Sequence, residues 1–142
     1  MAITNSASAH WAGDLKTGLG RVSTRSAGLA DLAYDFRKRF EGAAGTNPEE
    51  LIGAAHAACF SMALSGELGN AGMVAESIDT TATVTMEFID GAPTVTRIHL
   101  DLSARIPGAQ DAAFQAAAAT AKTNCPISRL LKAEISLTAV LV

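Results

Sequence analysis

Two cysteines, a histidine, a glutamate and an arginine are the residues of this chain whose types and positions could support chemistry. Cys59 lies in the apolar stretch AAHAACFSMALS, three residues after His56 (59 − 56) and ten after Glu49 (59 − 49). Cys125 follows 66 residues later (125 − 59), in NCPIS. This spacing contains no CxxC pair and no cluster typical of a zinc site, so each cysteine is either an inert packed residue or a redox-active thiol.

A redox-active cysteine reacts as its thiolate, which burial disfavours unless a cation or a helix dipole compensates. His56 is one candidate cation for Cys59, because it lies one helical turn away. Arg39 is the other, because its planar guanidinium can bind a thiolate and a carboxylate such as Glu49 together. The spacing does not choose between them. Cys125 is predicted at the start of a short helix, where free amides favour a thiolate.

The length and composition predict one domain over residues 1–142. The chain is 49% hydrophobic and 18% charged, with a net charge of −3, which argues against a protein that binds nucleic acid or coats an acidic membrane. Met1–Lys16 is mixed and polar, unlike a secretory signal. Leu51–Leu64 is too short and too interrupted to span a bilayer. We therefore expect a cytoplasmic protein without a membrane segment.

The clearest element is a helix over residues 47–69. Asn47 is a favourable cap, Pro48 suits the first helical position, and Glu50 completes a capping box. Before this helix, residues 1–45 suit a meander of short strands, although residues 29–45 have the weakest signal and are typical of a strand or an exposed loop.

After the helix, the hydrophobic period changes to two. Alternation over residues 78–88, including an inward-facing Phe88, and over residues 98–104 predicts a long antiparallel hairpin turned by Asp-Gly. Two helices, over residues 109–122 and from residue 126, and a strand over residues 135–141 complete the chain. The order of elements predicts an α+β fold.

The long helix has no clearly polar face after its first turn, which predicts burial on every side. For so small a domain, a second copy of the chain would most simply provide that burial, so we expect a homodimer. If two antiparallel helices cross near Ala54, Glu49 of one chain lies level with Cys59 of the other, since (49 + 59)/2 = 54. Within one helix the two are about 15 Å apart along the axis.

Four stretches carry a resemblance to a known family. Residues 39–42 (RFEG), 46–65, 77–84 (SIDTTATV) and 124–137 (NCPISRLLKAEISL) closely resemble the osmotically inducible protein C (OsmC) family, sister to the organic hydroperoxide resistance (Ohr) proteins. The resemblance implies an OsmC-like fold of antiparallel sheets packed on a long buried central helix, in an intertwined homodimer with active sites at the interface.

The resemblance also implies a function, a peroxiredoxin-like thiol peroxidase that reduces organic hydroperoxides and protects against oxidative and osmotic stress. Cys59 would be the peroxidatic cysteine and Cys125 the resolving one, joined as a disulfide during turnover. Arg39 would hold the thiolate, and Glu49 would orient Arg39. An external dithiol, such as lipoyl groups on carrier proteins, would restore the thiols, without metal, haem or flavin.

Two other functions remain open from the residues. In the first, the cysteines only report oxidation, as in a redox sensor without turnover. In the second, Cys59 and His56 form the nucleophile and base of a hydrolase, although the sequence offers no third orienting residue and no oxyanion motif. We interpret His56 as a hydrogen-bonded packing residue rather than a base.

Overall fold

The fold is α+β, with two three-stranded sheets and four helices. A computed structural model describes residues 1–142, which divide into two compact units, residues 1–51 and residues 52–142. The elements are β1 (Ala7–Ala12), β2 (Leu19–Thr24), β3 (Leu32–Tyr34), α1 (Phe36–Phe40), α2 (Pro48–Asn70), β4 (Ser77–Ile89), β5 (Ala92–Arg105), α3 (Asp111–Asn124), α4 (Pro126–Leu130) and β6 (Glu134–Leu141). The prediction of one domain stays a prediction, and each unit is described by itself.

The first unit contains the predicted meander. β1, β2 and β3 are antiparallel neighbours in chain order. Tyr34 lies against the backbone of Gly20, where an added Cβ would clash with the Tyr34 ring. The ring centroid of Trp11 is 5.7 Å from that of Tyr34. Glycine at position 20 therefore makes room for an aromatic wall on this sheet.

A short helix, α1, follows β3 where the sequence indicated only a strand or a loop. The strand interpretation is correct for β3, but not for residues 36–40. Asp35 caps the new helix, its carboxylate accepting the Lys38 N–H at 2.9 Å. Five residues are too few to show a helical period, so the cap was the available signal. α1 carries Arg39 in its last turn.

The start of α2 is confirmed. Asn47 Oδ1 accepts the Glu50 N–H at 2.9 Å, and Pro48 is the first helical residue. The Asn47 amide also donates to the Lys38 carbonyl at 3.1 Å. One side chain thus caps α2 and ties its start to α1, which carries Arg39.

In the single chain α2 is buried along one stripe, and its predicted burial on every side, which would need the second copy of the chain, stays a prediction. One stripe is buried, namely Gly53, His56, Phe60, Leu64 and Leu68. On the opposite face Ala54, Ala55 and Ala58 are exposed, and Met62 is 78% exposed. The sequence pattern and the burial disagree because a single chain leaves this small, apolar face uncovered.

Length and composition alone would also allow α2 to cross a membrane. The core helix of a soluble protein has the same length and apolar character. The length and apolar character of α2 therefore do not distinguish a membrane-spanning helix from a core helix. The expectation of a protein without a membrane segment stays a prediction.

The second sheet has the order β4-β5-β6. β4 and β5 form the predicted hairpin, turned by Asp90 and Gly91 with φ of +49° and +80°, the positive values that a type I′ turn requires. β6 lies parallel to β5, so the expectation of purely antiparallel sheets is wrong. The cause is the connection through α3 and α4, which returns the chain to the end of the sheet where β5 began.

The core of residues 52–142 lies on one face of this sheet. Its β5 side chains are those predicted: Ile98, Leu100, Leu102 and Ala104 are all buried. Phe88 is 66% exposed, against expectation. Glu87, Phe88 and Ile89 alternate between the two faces of β4 and are all exposed, so this end of the hairpin extends beyond the core.

Replacing Asn47 should destabilise the fold through its cap. We expect Asn47→Ala to lower the free energy of unfolding by about 1 kcal/mol, because the first turn of α2 loses the acceptor of its Glu50 N–H. Asn47→Asp keeps the acceptor oxygen and should lower the free energy of unfolding clearly less. Urea unfolding measures both, with Asn70→Ala at the exposed end of α2 as control. Equal stability of the Ala variant and the wild type would contradict the cap.

Candidate active site

Two free thiols face each other in the core of residues 52–142. Cys59, on α2, is half-buried, and Cys125, at the start of α4, is fully buried. The Cys125 thiol lies close enough to Cys59 to perturb its titration by hydrogen bonding and by charge. Two cysteines that are distant in sequence therefore meet in the structure, as a two-cysteine mechanism requires.

The surroundings within this unit hold Cys59 as a thiol. Burial raises the pKa of Cys59, the neighbouring Cys125 raises it further, and a hydrogen bond from the Ile127 backbone N–H lowers it. No basic side chain of residues 52–142 contributes to the lowering. A reactive thiolate at this position therefore needs a cation from elsewhere.

The turn that opens α4 supplies amides to both sulfurs. Cys125 is the helix cap, its Sγ accepting the Ser128 N–H at 3.4 Å, while the preceding amide, that of Ile127, donates to Cys59. Pro126 occupies the first position of the helix, as predicted, where its missing N–H costs nothing. Consecutive N–H groups of one turn thus point at the two sulfurs.

Arg39 and Glu49 form a fork in the first unit. Arg39 Nε donates to Glu49 Oε1 and Oε2 at 3.2 and 3.1 Å, and Nη2 donates to Oε1 at 2.7 Å. The Glu49 side chain is 14% exposed and that of Arg39 is 36% exposed. The pair is the one expected from the sequence. It fixes the guanidinium while leaving the Nη1 group free to bind another acceptor.

An aromatic cavity of about 280 Å³ lies beside this fork. Arg39 lines it, and its Cζ is 5.2 Å from the ring centroid of Phe40. The other lining residues are Trp11, Leu15, Tyr34, Asp35, Phe36, Phe40 and Pro48. The cavity is of the size and apolar character that suit a small organic ligand, with one charged group at its wall.

His56 is a fully buried residue whose partner is Ser128. His56 Nε2 lies 2.7 Å from Ser128 Oγ, and Nδ1 has no hydrogen-bond partner. Burial lowers the pKa of His56, so the ring is neutral near pH 7. The interpretation as a hydrogen-bonded packing residue fits this contact. The hydrolase hypothesis is weakened, because His56 bonds to Ser128 and no third group orients its Nδ1.

Ser128 was not recognised from the sequence. Its position three residues after a cysteine cap and two after a proline is a signal that could have found it, because the third residue of a capped helix turns back toward the cap. Taken together, the structure pairs Cys59 with Cys125 in residues 52–142 and Arg39 with Glu49 in residues 1–51.

No group of three or more His, Cys, Asp or Glu side chains is placed to hold a metal ion. The donors that come together are two thiols, a hydroxyl and an imidazole, in the second unit. The expectation of a reaction without a metal or an organic cofactor stays a prediction.

Comparison with known proteins identifies the family. The model of the OsmC-like protein family matches residues 41–140. The chain belongs to the OsmC-like family. The chain is also 52% identical to the peroxiredoxin OsmC of Escherichia coli over 96% of each protein. This agrees with the resemblance seen in the four sequence stretches.

Solved structures of OsmC-like proteins share the fold. An OsmC-like protein of unknown function from Vibrio cholerae superposes with a TM-score of 0.79 at 14% identity, covering 98% of this chain and 100% of that one. An organic hydroperoxide resistance protein OsmC from Legionella pneumophila, described as a predicted redox protein, gives 0.70 at 25% identity, covering 99% and 98%. The predicted OsmC-like fold is confirmed.

Burial of a neutral His56 predicts an acid-sensitive fold. Because burial lowers its pKa, the unfolded chain binds a proton at His56 that the folded chain does not, so stability falls as the pH drops through about 6.5. The slope contributed is at most about 1.4 kcal/mol per pH unit. Urea unfolding of the reduced protein between about pH 7.5 and pH 5 measures it.

The matched variants are His56→Gln, which removes the titrating ring, and His10→Gln on the exposed strand β1. We expect the pH dependence to flatten in the first variant and to persist in the second. If the free energy of unfolding depends on pH in the same way in wild type and His56→Gln, His56 is not a buried, neutral imidazole.

Proposed function

We propose that this chain is a thiol peroxidase that reduces organic hydroperoxides, and hydrogen peroxide less well. The observation that carries the proposal is the meeting of two free thiols, one half-buried and one fully buried, on the amides of one turn. The 52% identical relative from Escherichia coli is named a peroxiredoxin, which supports the same chemistry. Cys59, the more accessible thiol, is the peroxidatic cysteine, and Cys125 is the resolving one.

The reaction proceeds in three balanced steps. The Cys59 thiolate attacks the near oxygen of ROOH, the O–O bond breaks, and the alkoxide leaves as the alcohol after taking a proton, with Cys59 left as the sulfenic acid. Cys125 then attacks the sulfenic sulfur, forming a disulfide and releasing water. An external dithiol reduces the disulfide by thiol exchange and is itself oxidised.

The cation for Cys59 is Arg39 of a second chain in a homodimer. The exposed small residues of α2, with Met62 at 78% exposure, are the face on which the second copy packs. An antiparallel crossing near Ala54 brings Glu49 of one chain level with Cys59 of the partner subunit, by the symmetry of a twofold axis. The fork of Arg39 and Glu49 would then supply the charge that residues 52–142 lack.

The aromatic cavity beside Arg39 is the proposed site of the alkyl group. Its walls are apolar and Arg39 lines it, so in this proposal the Nη1 group of Arg39, which has no bond to Glu49, holds a peroxide oxygen. The alkyl group of a bulky hydroperoxide would gain affinity from contact with these walls, whereas hydrogen peroxide has no such group. The reductant in this proposal is a dithiol such as lipoyl groups on a carrier protein, and the protein works in the cytoplasm against oxidative and osmotic stress.

Turnover with cumene hydroperoxide and dihydrolipoamide tests the enzyme. We expect repeated turnover by the wild type and complete loss in Cys59→Ser, because the nucleophile is gone. In Cys125→Ser the sulfenic acid should persist, and dimedone labelling followed by mass spectrometry detects it. Oxidation that stops after one equivalent in the wild type would favour a sensor, and equal peroxide loss in all three proteins would contradict the proposal.

Mixing two inactive variants tests whether the site is shared between chains. Cys59→Ser and Arg39→Ala chains, unfolded and refolded together, should regain about a quarter of the wild-type rate, since half of randomly assorted dimers are mixed and each holds one intact site. The control mixes Cys59→Ser with Cys125→Ser, which no exchange of chains can repair because both thiols of a site come from one chain. No recovery in the first mixture would place Arg39 and Cys59 of a site in the same chain.

A further inference from the structure

A buried chain of hydrogen bonds leads away from Cys125. The Cys125 thiol donates to Ser128 Oγ at 3.3 Å, and Ser128 Oγ lies 2.7 Å from His56 Nε2. Cys125 and His56 are fully buried, and Ser128 is 8% exposed. The three side chains form a path from a thiol through a hydroxyl to an imidazole, out of contact with solvent.

The donor at one end of the path leaves the Ser128 proton available for the next bond. When the Cys125 thiol donates to Ser128, the hydroxyl proton of Ser128 is free to point at His56 Nε2, which then accepts with its lone pair. The ring proton must in that case sit on Nδ1, the one buried side-chain nitrogen or oxygen without a partner. An unpaired buried N–H is costly, so a histidine here carries a cost that its packing contact with Ser128 does not remove.

The resolving step needs a proton acceptor beside Cys125. As the Cys125 sulfur attacks the sulfenic sulfur of Cys59, the S–S bond forms, the S–O bond breaks and hydroxide departs. The thiol proton of Cys125 must leave at the same time, because a protonated sulfur is a poor nucleophile. Since Cys125 is fully buried, its bonded neighbour Ser128 is the group placed to take this proton.

We propose that Ser128 is a catalytic residue of the resolving step and that His56 is a positioning residue that acts through it. The proposal rests on the peroxidase function. The proton passes from Cys125 Sγ to Ser128 Oγ while the Ser128 proton passes to His56 Nε2. The imidazolium returns this proton through Ser128 to the departing hydroxide. One thiol and one sulfenic acid thus give one disulfide and one water.

In the reduced protein the path contacts Cys125 and not Cys59. The hydrogen-bond donor of Cys59 is the Ile127 amide, and neither Ser128 nor His56 bonds to Cys59. Loss of the path should therefore slow disulfide formation and leave the first oxidation of Cys59 unchanged. A residue that only supported the fold would affect both steps.

Ellman's reagent separates the two thiols without any peroxide. Reduced protein mixed with an excess of the reagent releases one thionitrobenzoate when Cys59 attacks it and a second when Cys125 displaces the reagent from Cys59. Stopped-flow absorbance resolves the two phases, and Cys125→Ser identifies the second by its absence. Because no hydroperoxide is involved, this assay reports on the path even if the peroxidase function fails, and cumene hydroperoxide with dimedone trapping repeats it on the sulfenic acid.

The variants distinguish proton acceptance from packing. Ser128→Ala removes the hydroxyl, and His56→Gln keeps an amide that can bond to Ser128 without accepting its proton. In both we expect the second phase to slow on the order of a hundredfold, the low end of general base catalysis, with the first phase unchanged. Ser128→Thr keeps a hydroxyl and should retain most of the rate, which guards against loss of folding as the explanation.

A second histidine–serine pair provides the matched control. His99 Nδ1 lies 2.6 Å from Ser136 Oγ, across β5 and β6, so His99→Gln and Ser136→Ala make the same chemical changes without touching the path. Both phases should keep wild-type rates in these controls. A wild-type second phase in His56→Gln, or equal slowing of both phases in the Ser128 and His56 variants, would overturn the proposal.

Discussion

Burial of the Cys59 thiol governs the chemistry that this chain can perform. A sulfur surrounded by apolar side chains and a second thiol keeps its proton, because the thiolate would lose the solvation that water gives it. One amide partly offsets this, but an amide is a dipole and not a charge. The proposed charge, Arg39, is already fixed by Glu49, so that little entropy would be lost when it binds a thiolate.

The start of α4 organises the two sulfurs by backbone geometry. A capped helix turn presents successive N–H groups in one direction, and here one reaches Cys59 and the next reaches Cys125. Proline fits the first position because that position needs no donor. The arrangement needs neither a metal nor a long side chain, and a short turn of five residues is enough to build it.

Much of this fold follows from local signals in the sequence. The start of α2, the β4–β5 hairpin and the cap at Cys125 each depend on a few neighbouring residues, and each is where the pattern predicts it. The errors arise where contacts between distant parts of the chain set the structure, or where an element is too short to show a pattern. β6 is parallel because of the connection before it, Phe88 is exposed because the end of the hairpin extends beyond the core, and α1 is too short to show a period.

The site residues also divide into those that the sequence indicates and those that only long-range contacts reveal. The pairing of Arg39 with Glu49 could be expected from charge, and the resemblance of the motifs around the two cysteines marked them as candidate site residues. That His56 would meet Ser128 could not be predicted, because they are 72 residues apart and the contact is made across the core. The uncovered face of α2 also explains why its apolar pattern indicated more burial than one chain provides.

The proximity of Cys59 and Cys125 also affects the stability of the oxidised protein. A bond between them would close a covalent ring that contains the whole β4–β5 hairpin and all of α3. Cross-linking a ring of this length restricts the unfolded chain and is worth about 4 kcal/mol by loop-closure entropy. The oxidised molecule would be harder to unfold, so each cycle of catalysis would alternately raise and lower the free energy of unfolding of the same half of the protein.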